Sequence, residues 1–422
     1  MKLNLLKKVF IGVSLFLVFS GLLVVASQFS ILQAGAVHID PAVSRALSPN
    51  LLSGNVIGVD EKKVSVIITL KDDEELIEEQ QEKVLDTLNV EEANEDLSID
   101  KDFIIKHQYT TINAIAGELT VSGLKKLKNN PHVESISYDY PVNLLLENSV
   151  PLVNADDVHS FTANGNLIQG AGETVCVIDT GIDYTHAALG SCSNSDFLNG
   201  NCAKVIGGYD IADVDNDPID LNGHGSHVAG IVASTDTKYK GVAPAAKLVA
   251  VKVFSGSSGS TNVSNVIAGI DWCKDNSATY NISVITLSLG DGSQHNTNCD
   301  GDVLASATNS AVDAGIFVGA AAGNNGYSSG VGVPACGSKT TSVGWTDNND
   351  AISSGSNSGL TLDLFAPGSS IESVEAGGNF AIMSGTSMSA PHVAGAAAIV
   401  INYWKKAYDI TLAPEQVRDK LK

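Results

Sequence analysis

The sequence predicts an α/β protein, with a mostly parallel sheet that carries helices on both faces and a small ferredoxin-like α+β domain before it. From about residue 150 onward, short apolar strands alternate with helical segments, which is typical of parallel sheets. Upstream, strands and helices follow a β-α-β-β-α-β order. The composition fits a compact, loop-rich enzyme, because 44% of the residues are hydrophobic, 17% are charged and glycine occurs 40 times.

The first 36 residues have the features of an export signal. Lysines precede an apolar run from Val9 to Ala26, and Ala34-Gly35-Ala36 offers a cleavage site. The alternative is an uncleaved signal anchor, because this run is nearly long enough to span a bilayer. In both cases the rest of the chain lies outside. We therefore expect a secreted protein or, alternatively, a membrane-anchored one with its main domain outside.

The N-terminal half then divides into a linker, residues 37–55, and a charged domain without cysteine, residues 56–147. Hydrophobic periodicity predicts a strand, an amphipathic helix, two strands, a short helix and a final strand in this domain. In that order the elements are Val64–Leu70, Glu74–Leu88, Phe103–Ile115, Glu118–Val121, Leu124–Lys128 and Val133–Tyr138.

Residues 148–422 form the larger predicted domain. Its buried strand candidates are Thr174–Ile178, Leu248–Val253, Val284–Leu289 and Ile316–Ala321. The helical candidates between them are Gly225–Ala233, Thr261–Cys273 and Val303–Ala314. Because active sites gather at the carboxyl ends of the strands in parallel sheets, polar residues that follow these strands are candidates for function.

The net charge of −22 is spread over both halves of the chain. Nucleic-acid binding needs a basic surface, so this charge argues against a nucleic-acid partner. The charge favours solubility and tolerates calcium, but it does not identify a substrate.

Asp179 and His224 lie in sequence contexts that suit proton-transfer chemistry. Asp179 ends an apolar strand, where a carboxylate needs a hydrogen-bonding partner such as an imidazole; alone, it could equally cap a turn. His224 lies between two glycines at the start of a helix, which leaves the ring accessible as a general base. His227 is better explained as a packed, hydrogen-bonded core histidine, and no third ligand is apparent for a metal.

Two further residues suit the nucleophile and the oxyanion donor of acyl transfer. Ser387 begins an apolar helix, where backbone N–H groups and the helix dipole can stabilise an oxyanion. A serine that only caps the helix would not explain Gly385 and the other small residues around it. Asn324 follows an apolar strand, and its amide can donate to a tetrahedral intermediate, although a turn asparagine is the simpler explanation when the residue is taken alone.

In this order, the Asp, His, Asn and Ser motifs resemble those of the subtilisin-like serine proteases, the subtilases. Further similar segments are Gly241-Val242-Ala243-Pro244, Ser288-Leu289-Gly290 and Leu364-Phe365-Ala366-Pro367-Gly368. The resemblance covers about residues 149–415. It implies a serine endopeptidase that hydrolyses peptide bonds in proteins through an Asp-His-Ser triad and an acyl-enzyme, without a cofactor for the chemistry.

The resemblance also implies a role for each matching residue. Ser387 would attack the scissile carbonyl, His224 would transfer its proton, and Asp179 would orient the imidazole. The Asn324 amide and the Ser387 N–H would form the oxyanion hole. The residues lining the substrate cleft would be Ser288, Leu289, Gly290 and Gly323.

Residues 56–147 resemble the subtilase propeptide, an intramolecular chaperone and inhibitor with the same order of elements. The expected partners are therefore protein or peptide substrates and the chain's own propeptide, in a monomer that contacts a membrane only if its N-terminal segment stays uncleaved. Self-cleavage is expected between Asn143 and Val150. Glycines near Gly323 and Gly332 favour broad specificity for apolar or medium-sized residues.

The sequence departs from the family pattern in three places. Ser226 stands where subtilases commonly have Thr, which keeps the hydroxyl. Ala188 replaces an aspartate that the common calcium site uses, so that site is not expected here. Only 35 residues follow Ser387 (422 − 387), fewer than is usual, which leads us to expect a truncated C-terminus.

Metal binding is otherwise undetermined by the sequence. Four carboxylates, Asp213, Asp215, Asp217 and Asp220, have a spacing that suits calcium, although it is not an EF-hand. A structural calcium ion and a solvated acidic loop are therefore the two alternatives for this segment.

The six cysteines all follow residue 150 and include no C-x-x-C pair, so a structural zinc site is not expected. An oxidising exterior favours disulfides. Cys192–Cys202 is the first expected pair and Cys299–Cys336 the second. Cys176 and Cys273 are expected to be buried thiols.

Two rival functions are weighed against the endopeptidase. A catalytically silent subtilase-like binding protein is disfavoured because all catalytic positions are filled. An esterase would keep the nucleophile but change the substrate, whereas the propeptide and the Ser288–Gly290 segment favour peptides.

Overall fold

The computed structural model describes residues 37–47, 63–71, 76–92, 101–139, 141–144, 158–347 and 349–422. The predicted export signal, residues 1–36, lies outside them. The chain divides into two compact units, the first made of residues up to 108 with 113–138 and the second of 109–112 with 139–422. None of the helices in the described part combines the length and apolarity needed to cross a bilayer.

In its described residues, the first unit has one sheet and three helices. Its strands are β1 (His38–Ile39), β2 (Val64–Leu70), β3 (Val90–Glu92), β4 (Phe103–Gln108), β5 (Ala114–Leu119) and β6 (Val133–Tyr138). Its helices are α1 (Pro41–Leu47), α2 (Ile77–Leu85) and α3 (Val121–Leu127). The sheet order is β1-β6-β2-β5-β4-β3, so the four central strands and the helices α2 and α3 reproduce the predicted β-α-β-β-α-β unit.

Some predicted boundaries in this unit are wrong. The linker expected at 37–55 begins instead with β1, which pairs with β6, and with α1, whose Val43 and Leu47 are buried; residues 48–55 lie outside the described residues. The strand predicted over Phe103–Ile115 is interrupted, because residues 109–112 belong to the second unit. Helix α3 starts earlier than expected because Thr120 caps it, accepting a hydrogen bond from Gly123 N at 3.1 Å.

The second unit contains fourteen strands within its described residues. They are β7 (Pro141–Leu144), β8 (Thr162–Ala163), β9 (Asn166–Leu167), β10 (Thr174–Asp179), β11 (Val205–Asp210), β12 (Lys247–Lys252), β13 (Ser260–Asn262), β14 (Ile282–Leu287), β15 (Leu289–Gly290), β16 (Phe317–Ala321), β17 (Thr341–Thr346), β18 (Leu364–Pro367), β19 (Ile371–Glu375) and β20 (Asn379–Met383). Seven of them form a parallel sheet in the order β11-β12-β10-β14-β16-β17-β18. The parallel sheet expected from the sequence is therefore confirmed.

Helices cover both faces of this sheet. They are α4 (Asn194–Leu198), α5 (His224–Ala233), α6 (Val263–Asp275), α7 (Ser277–Tyr280), α8 (Val303–Asp313), α9 (Thr386–Tyr408) and α10 (Pro414–Leu421). Helix α5 packs against α9, and α6 packs against α8. Strand β10 contacts helices of both pairs and is buried at every position, which explains the apolar run at its residues 175–178.

Three disulfides pair all six cysteines. The expected pairs Cys192–Cys202 and Cys299–Cys336 are present. The expectation that Cys176 and Cys273 are free thiols is wrong. They form a disulfide because α6 packs on β10, which brings the two Cα atoms to 6.4 Å.

Candidate active site

The end of β10 and the start of α5 bring Asp179 and His224 together. His224 Nδ1 lies 2.6 Å from Asp179 Oδ1, and both side chains are fully buried. The same oxygen accepts a hydrogen bond from Thr180 N at 2.7 Å. Because a carboxylate only accepts, the neutral imidazole carries its proton on Nδ1 and its lone pair on Nε2.

The second ring nitrogen of His224 is ready to act as a base. Nε2 is buried and makes no hydrogen bond within the described part of the chain. Two glycines let the chain place the ring. Gly223, with φ of +103°, caps α5 in a left-handed conformation, and a Cβ on Gly225 would lie 2.1 Å from Gly181 O. These glycines therefore have a steric reason that the sequence showed only as a pattern.

Ser387 lies in the first turn of α9, the helix that packs against α5. Its Oγ donates to Ser288 O at 3.2 Å, and Ser288 Oγ donates to Ser387 O at 2.7 Å. Ser288 links β14 to β15 at the carboxyl edge of the sheet. The predicted nucleophile and the first predicted residue of the substrate cleft are thus direct neighbours.

Asn324 follows β16 and points its amide toward the same region. Its Oδ1 accepts hydrogen bonds from Thr386 N at 2.9 Å and Thr386 Oγ1 at 2.8 Å. Its Nδ2 is buried and makes no hydrogen bond among the described residues. An unpaired buried donor costs about 1–3 kcal/mol, so the amide is suited to an acceptor that a substrate supplies. Sequence reasoning missed Thr386, which orients this amide from the position before Ser387.

A short three-stranded sheet lies at the predicted substrate cleft. Strand β7 lies between β13 and β15 and is antiparallel to both. Leu144 pairs with Leu289, and Asn143 pairs with Gly290 on one side and with Ser260 on the other. All three strands belong to the second unit. The space between β13 and β15 is thus filled by an extended segment of this chain, which pairs with both strands as an added strand.

The other predicted cleft residue, Gly323, lies beside Asn324. Its φ is +109°, and its N–H donates to Thr386 Oγ1 at 3.2 Å. A Cβ at this position would lie 2.3 Å from Asn357 Nδ2. Glycine is therefore required here, both by the backbone conformation and by the space available.

His227 is a packed core residue, as its sequence position indicates. Its Nε2 lies 3.0 Å from Ile371 O and 3.1 Å from Ala381 O. Burial, together with the nearby His224, lowers the pKa of His227 to about 3. The ring therefore stays neutral at ordinary pH and takes no part in proton transfer.

The four carboxylates considered for calcium do not assemble into one ligand set. Asp213 bonds Lys252 Nζ at 2.9 Å, Asp217 accepts from Tyr184 Oη at 2.5 Å, and both oxygens of Asp220 are taken by protein donors. Among the described residues, the only group of three potential metal-ligand atoms within 4.8 Å of one another is His295 with Cys299 and Cys336, whose sulfurs form a disulfide. Among the described residues, the four aspartates of the acidic loop therefore form no group of three ligand atoms within 4.8 Å of one another.

Comparison with known proteins agrees with this fold and site. Residues 170–422 match the model of the subtilase family, and residues 65–145 match that of the peptidase inhibitor I9 family. The chain is 36% identical over 321 residues to a thermophilic serine proteinase of Bacillus sp. strain AK1, with 71% of this chain and 70% of that one covered. It is 36% identical over 330 residues to subtilisin E of Bacillus subtilis, with 75% and 76% covered.

A solved structure gives the same result. The chain is similar to the crystal structure of a cold-adapted subtilisin-like serine proteinase, with 35% sequence identity and a TM-score of 0.51. The match covers 65% of this chain and 86% of the other. The fold and these matches define a serine endopeptidase that is made as a precursor with an inhibitory propeptide. The chain belongs to the subtilase family.

Proposed function

We propose that Asp179, His224 and Ser387 are the catalytic triad of this endopeptidase. The observation that carries the proposal is the buried 2.6 Å contact between Asp179 and His224 Nδ1, which leaves Nε2 as the base. His224 takes the proton of Ser387 as its Oγ attacks the scissile carbonyl, and returns it to the leaving amine. Asp179 stabilises the imidazolium without being protonated. Water then hydrolyses the acyl-enzyme by the same proton route.

The oxyanion of the tetrahedral intermediate would be stabilised by the Asn324 amide and the Ser387 N–H. The support for Asn324 is its buried Nδ2, which the two hydrogen bonds from Thr386 to Oδ1 hold in one orientation. Ser387 lies at the start of α9, where the helix dipole favours negative charge. Such preorganised donors stabilise the charge that develops in the transition state.

The substrate would bind as an extended strand beside Ser288, Leu289 and Gly290, with Gly323 on the facing side. The position of β7 supports this binding mode, because it pairs with β15 as a bound peptide would. Its residues fall in the segment that matches the inhibitor family. The propeptide therefore inhibits by occupying the cleft until it is cut. Broad specificity for apolar or medium-sized side chains remains our expectation.

We assign residues 56–147 to the propeptide and 148–422 to the peptidase domain, after a signal peptide or anchor at 1–36. Leu144 pairs with Leu289. Ser288, which directly precedes Leu289 in the chain, accepts a hydrogen bond from Ser387 Oγ. Cleavage is therefore expected on the C-terminal side of Leu144, inside the window from Asn143 to Val150 that includes the boundary assigned at 147/148. A mature N-terminus outside this window would contradict the assignment.

The predicted export signal and the disulfides support a secreted protein, and we expect it to be a monomer. A membrane-anchored form is the alternative and depends on an uncleaved N-terminal segment. Fractionation of producing cells with an antibody to the peptidase domain distinguishes the two. Size-exclusion chromatography with light scattering tests the monomer.

A covalent label tests the nucleophile. We expect phenylmethanesulfonyl fluoride to inactivate the mature enzyme, and peptide mapping to place one adduct on Ser387. His224→Ala, processed by added wild-type enzyme and purified away from it, should be labelled much more slowly, because the base is absent. Rapid labelling of another serine with loss of activity would refute the assignment. Comparing peptide with simple ester turnover separates a peptidase from an esterase.

A further inference from the structure

We propose that Asp220 is a positioning residue for this reaction: its buried carboxylate holds the segment that carries His224 against the segment that carries Asp179. The proposal rests on the triad proposed above. Asp220 is only 3% exposed, yet it has no cationic partner among the described ion pairs. A buried carboxylate of this kind must be satisfied by hydrogen bonds, and the identity of its donors shows what it does.

Five donors surround the carboxylate. Oδ1 accepts from Thr180 Oγ1, Asn222 N and Gly223 N, each at 2.9 Å. Oδ2 accepts from Ser226 N at 2.8 Å and Ser226 Oγ at 2.7 Å. These bonds use the acceptor capacity of both oxygens, which is why Asp220 is not free to bind calcium.

The donors lie on both sides of the proposed base. Asn222 and Gly223 precede His224, and Ser226 follows it. Three of the five bonds come from backbone N–H groups, so the carboxylate fixes the main chain and not only side chains. Charge-assisted hydrogen bonds of this type are roughly twice as strong as neutral ones. The first turn of α5 is therefore held at the residues that flank the imidazole.

The fifth donor connects this turn to the proposed orienting carboxylate. Thr180 directly follows Asp179, and its N–H donates to Asp179 Oδ1. Its hydroxyl donates to Asp220 and accepts from Gly225 N at 2.8 Å. A single hydroxyl thus joins the end of β10 to both Asp220 and α5. The short contact between His224 and Asp179 depends on this arrangement.

Asp220 touches no reacting atom, so its effect on catalysis must be geometric and electrostatic. Shifting a catalytic group by about 1 Å can cost about 10²-fold in rate. A residue that only stabilises the fold would lower thermal stability and leave kcat unchanged. A positioning residue lowers kcat in the folded enzyme and leaves KM nearly constant, because the cleft residues do not contact it.

The test compares wild type with Asp220→Asn and with a matched pair, Thr180→Ser and Thr180→Val, all matured and titrated for active sites. In Asp220→Asn the side-chain NH₂ group would face hydrogen-bond donors and could not accept from them. We therefore expect kcat on a peptide substrate to fall about 10²-fold, with KM within about threefold of the wild-type value. Thr180→Val, which keeps the shape and loses the hydroxyl, should lose about tenfold, and Thr180→Ser should restore most of kcat.

The pH profile gives a second readout. Loss of the Asp220 charge disfavours the imidazolium, so the acidic limb of kcat/KM should move to lower pH in Asp220→Asn. A kcat within about threefold of wild type, with an unmoved acidic limb, would overturn the proposal. If Asp220→Asn does not fold, the comparison of Thr180→Ser with Thr180→Val tests the proposal instead. Equal kcat values for these two variants would refute the positioning role.

Failure of the triad and failure of this proposal give different results. If Ser387→Ala or His224→Ala keeps full activity, the triad itself is wrong. If both abolish activity while Asp220→Asn retains it, only the positioning role is wrong.

Discussion

The Cys176–Cys273 disulfide joins β10, the strand that ends in Asp179, to helix α6. Replacing both cysteines by alanine removes a cross-link between residues 97 positions apart. On the chain-entropy relation, closing a loop of this length stabilises the fold by about 4.7 kcal/mol, whereas the 10-residue separation of Cys192–Cys202 gives about 2.7 kcal/mol. Cys176 and Cys273 are fully buried, so the small void left behind adds about 1 kcal/mol.

Urea unfolding measures this difference, in a Ser387→Ala background that prevents self-digestion. We expect Cys176→Ala/Cys273→Ala to lower the free energy of unfolding by about 3 kcal/mol more than Cys192→Ala/Cys202→Ala does. Its m-value should also rise more, because an unfolded chain without the longer cross-link exposes more surface. The second double variant is the matched control. An equal or smaller loss for the long loop would refute the reasoning, and two free thiols in the unfolded, unreduced protein would refute the disulfide itself.

Three more predictions follow from buried groups. Asn324→Leu should lower kcat about 10²–10³-fold with little change in KM, a range known from a subtilisin itself; unchanged kcat would exclude the oxyanion role. Burial lowers the pKa of His227 to about 3 and that of His392 to about 4. The contribution of these neutral rings to the free energy of unfolding is therefore fully present above about pH 6.5 and is lost as the pH falls, by about 1.4 kcal/mol per pH unit for each ring. In urea unfolding, the free energy of unfolding should differ less between pH 7 and pH 5 for His392→Gln than for wild type. Lys252→Met strands the buried Asp210 carboxylate and should cost about 3–5 kcal/mol, a loss that Asp210→Leu in the same chain partly restores.

The fold was largely predictable because its strands are buried in simple patterns. Strands β2 and β6 have the predicted bounds, since each carries apolar side chains that are buried in the core of the first unit. Residues 175–178 of β10 form an apolar run because helices cover both sides of the strand. The stretch expected to be a linker was misjudged because Val43 and Leu47 become buried only after β1 pairs with a strand almost a hundred residues later.

The site was predictable to the extent that its chemistry lies in short motifs. Asp179 and His224 each follow a local pattern, and the structure pairs them. The Cys176–Cys273 bond could not be predicted, because each cysteine looks like an ordinary core residue and only helix packing brings the two together. Asp220 resembled a metal ligand because its donors are mostly backbone N–H groups, which leave no mark on the sequence.

The most direct test of the triad follows processing of the precursor. Wild type and Ser387→Ala are produced in parallel, and chain length and N-terminus are read by mass spectrometry. We predict that wild type loses its propeptide by cleavage between Asn143 and Val150, while Ser387→Ala stays whole and is cut at the same bond when wild-type enzyme is added. A Ser387→Ala precursor that processes itself at the normal site, or a folded wild type that never does, would contradict the account.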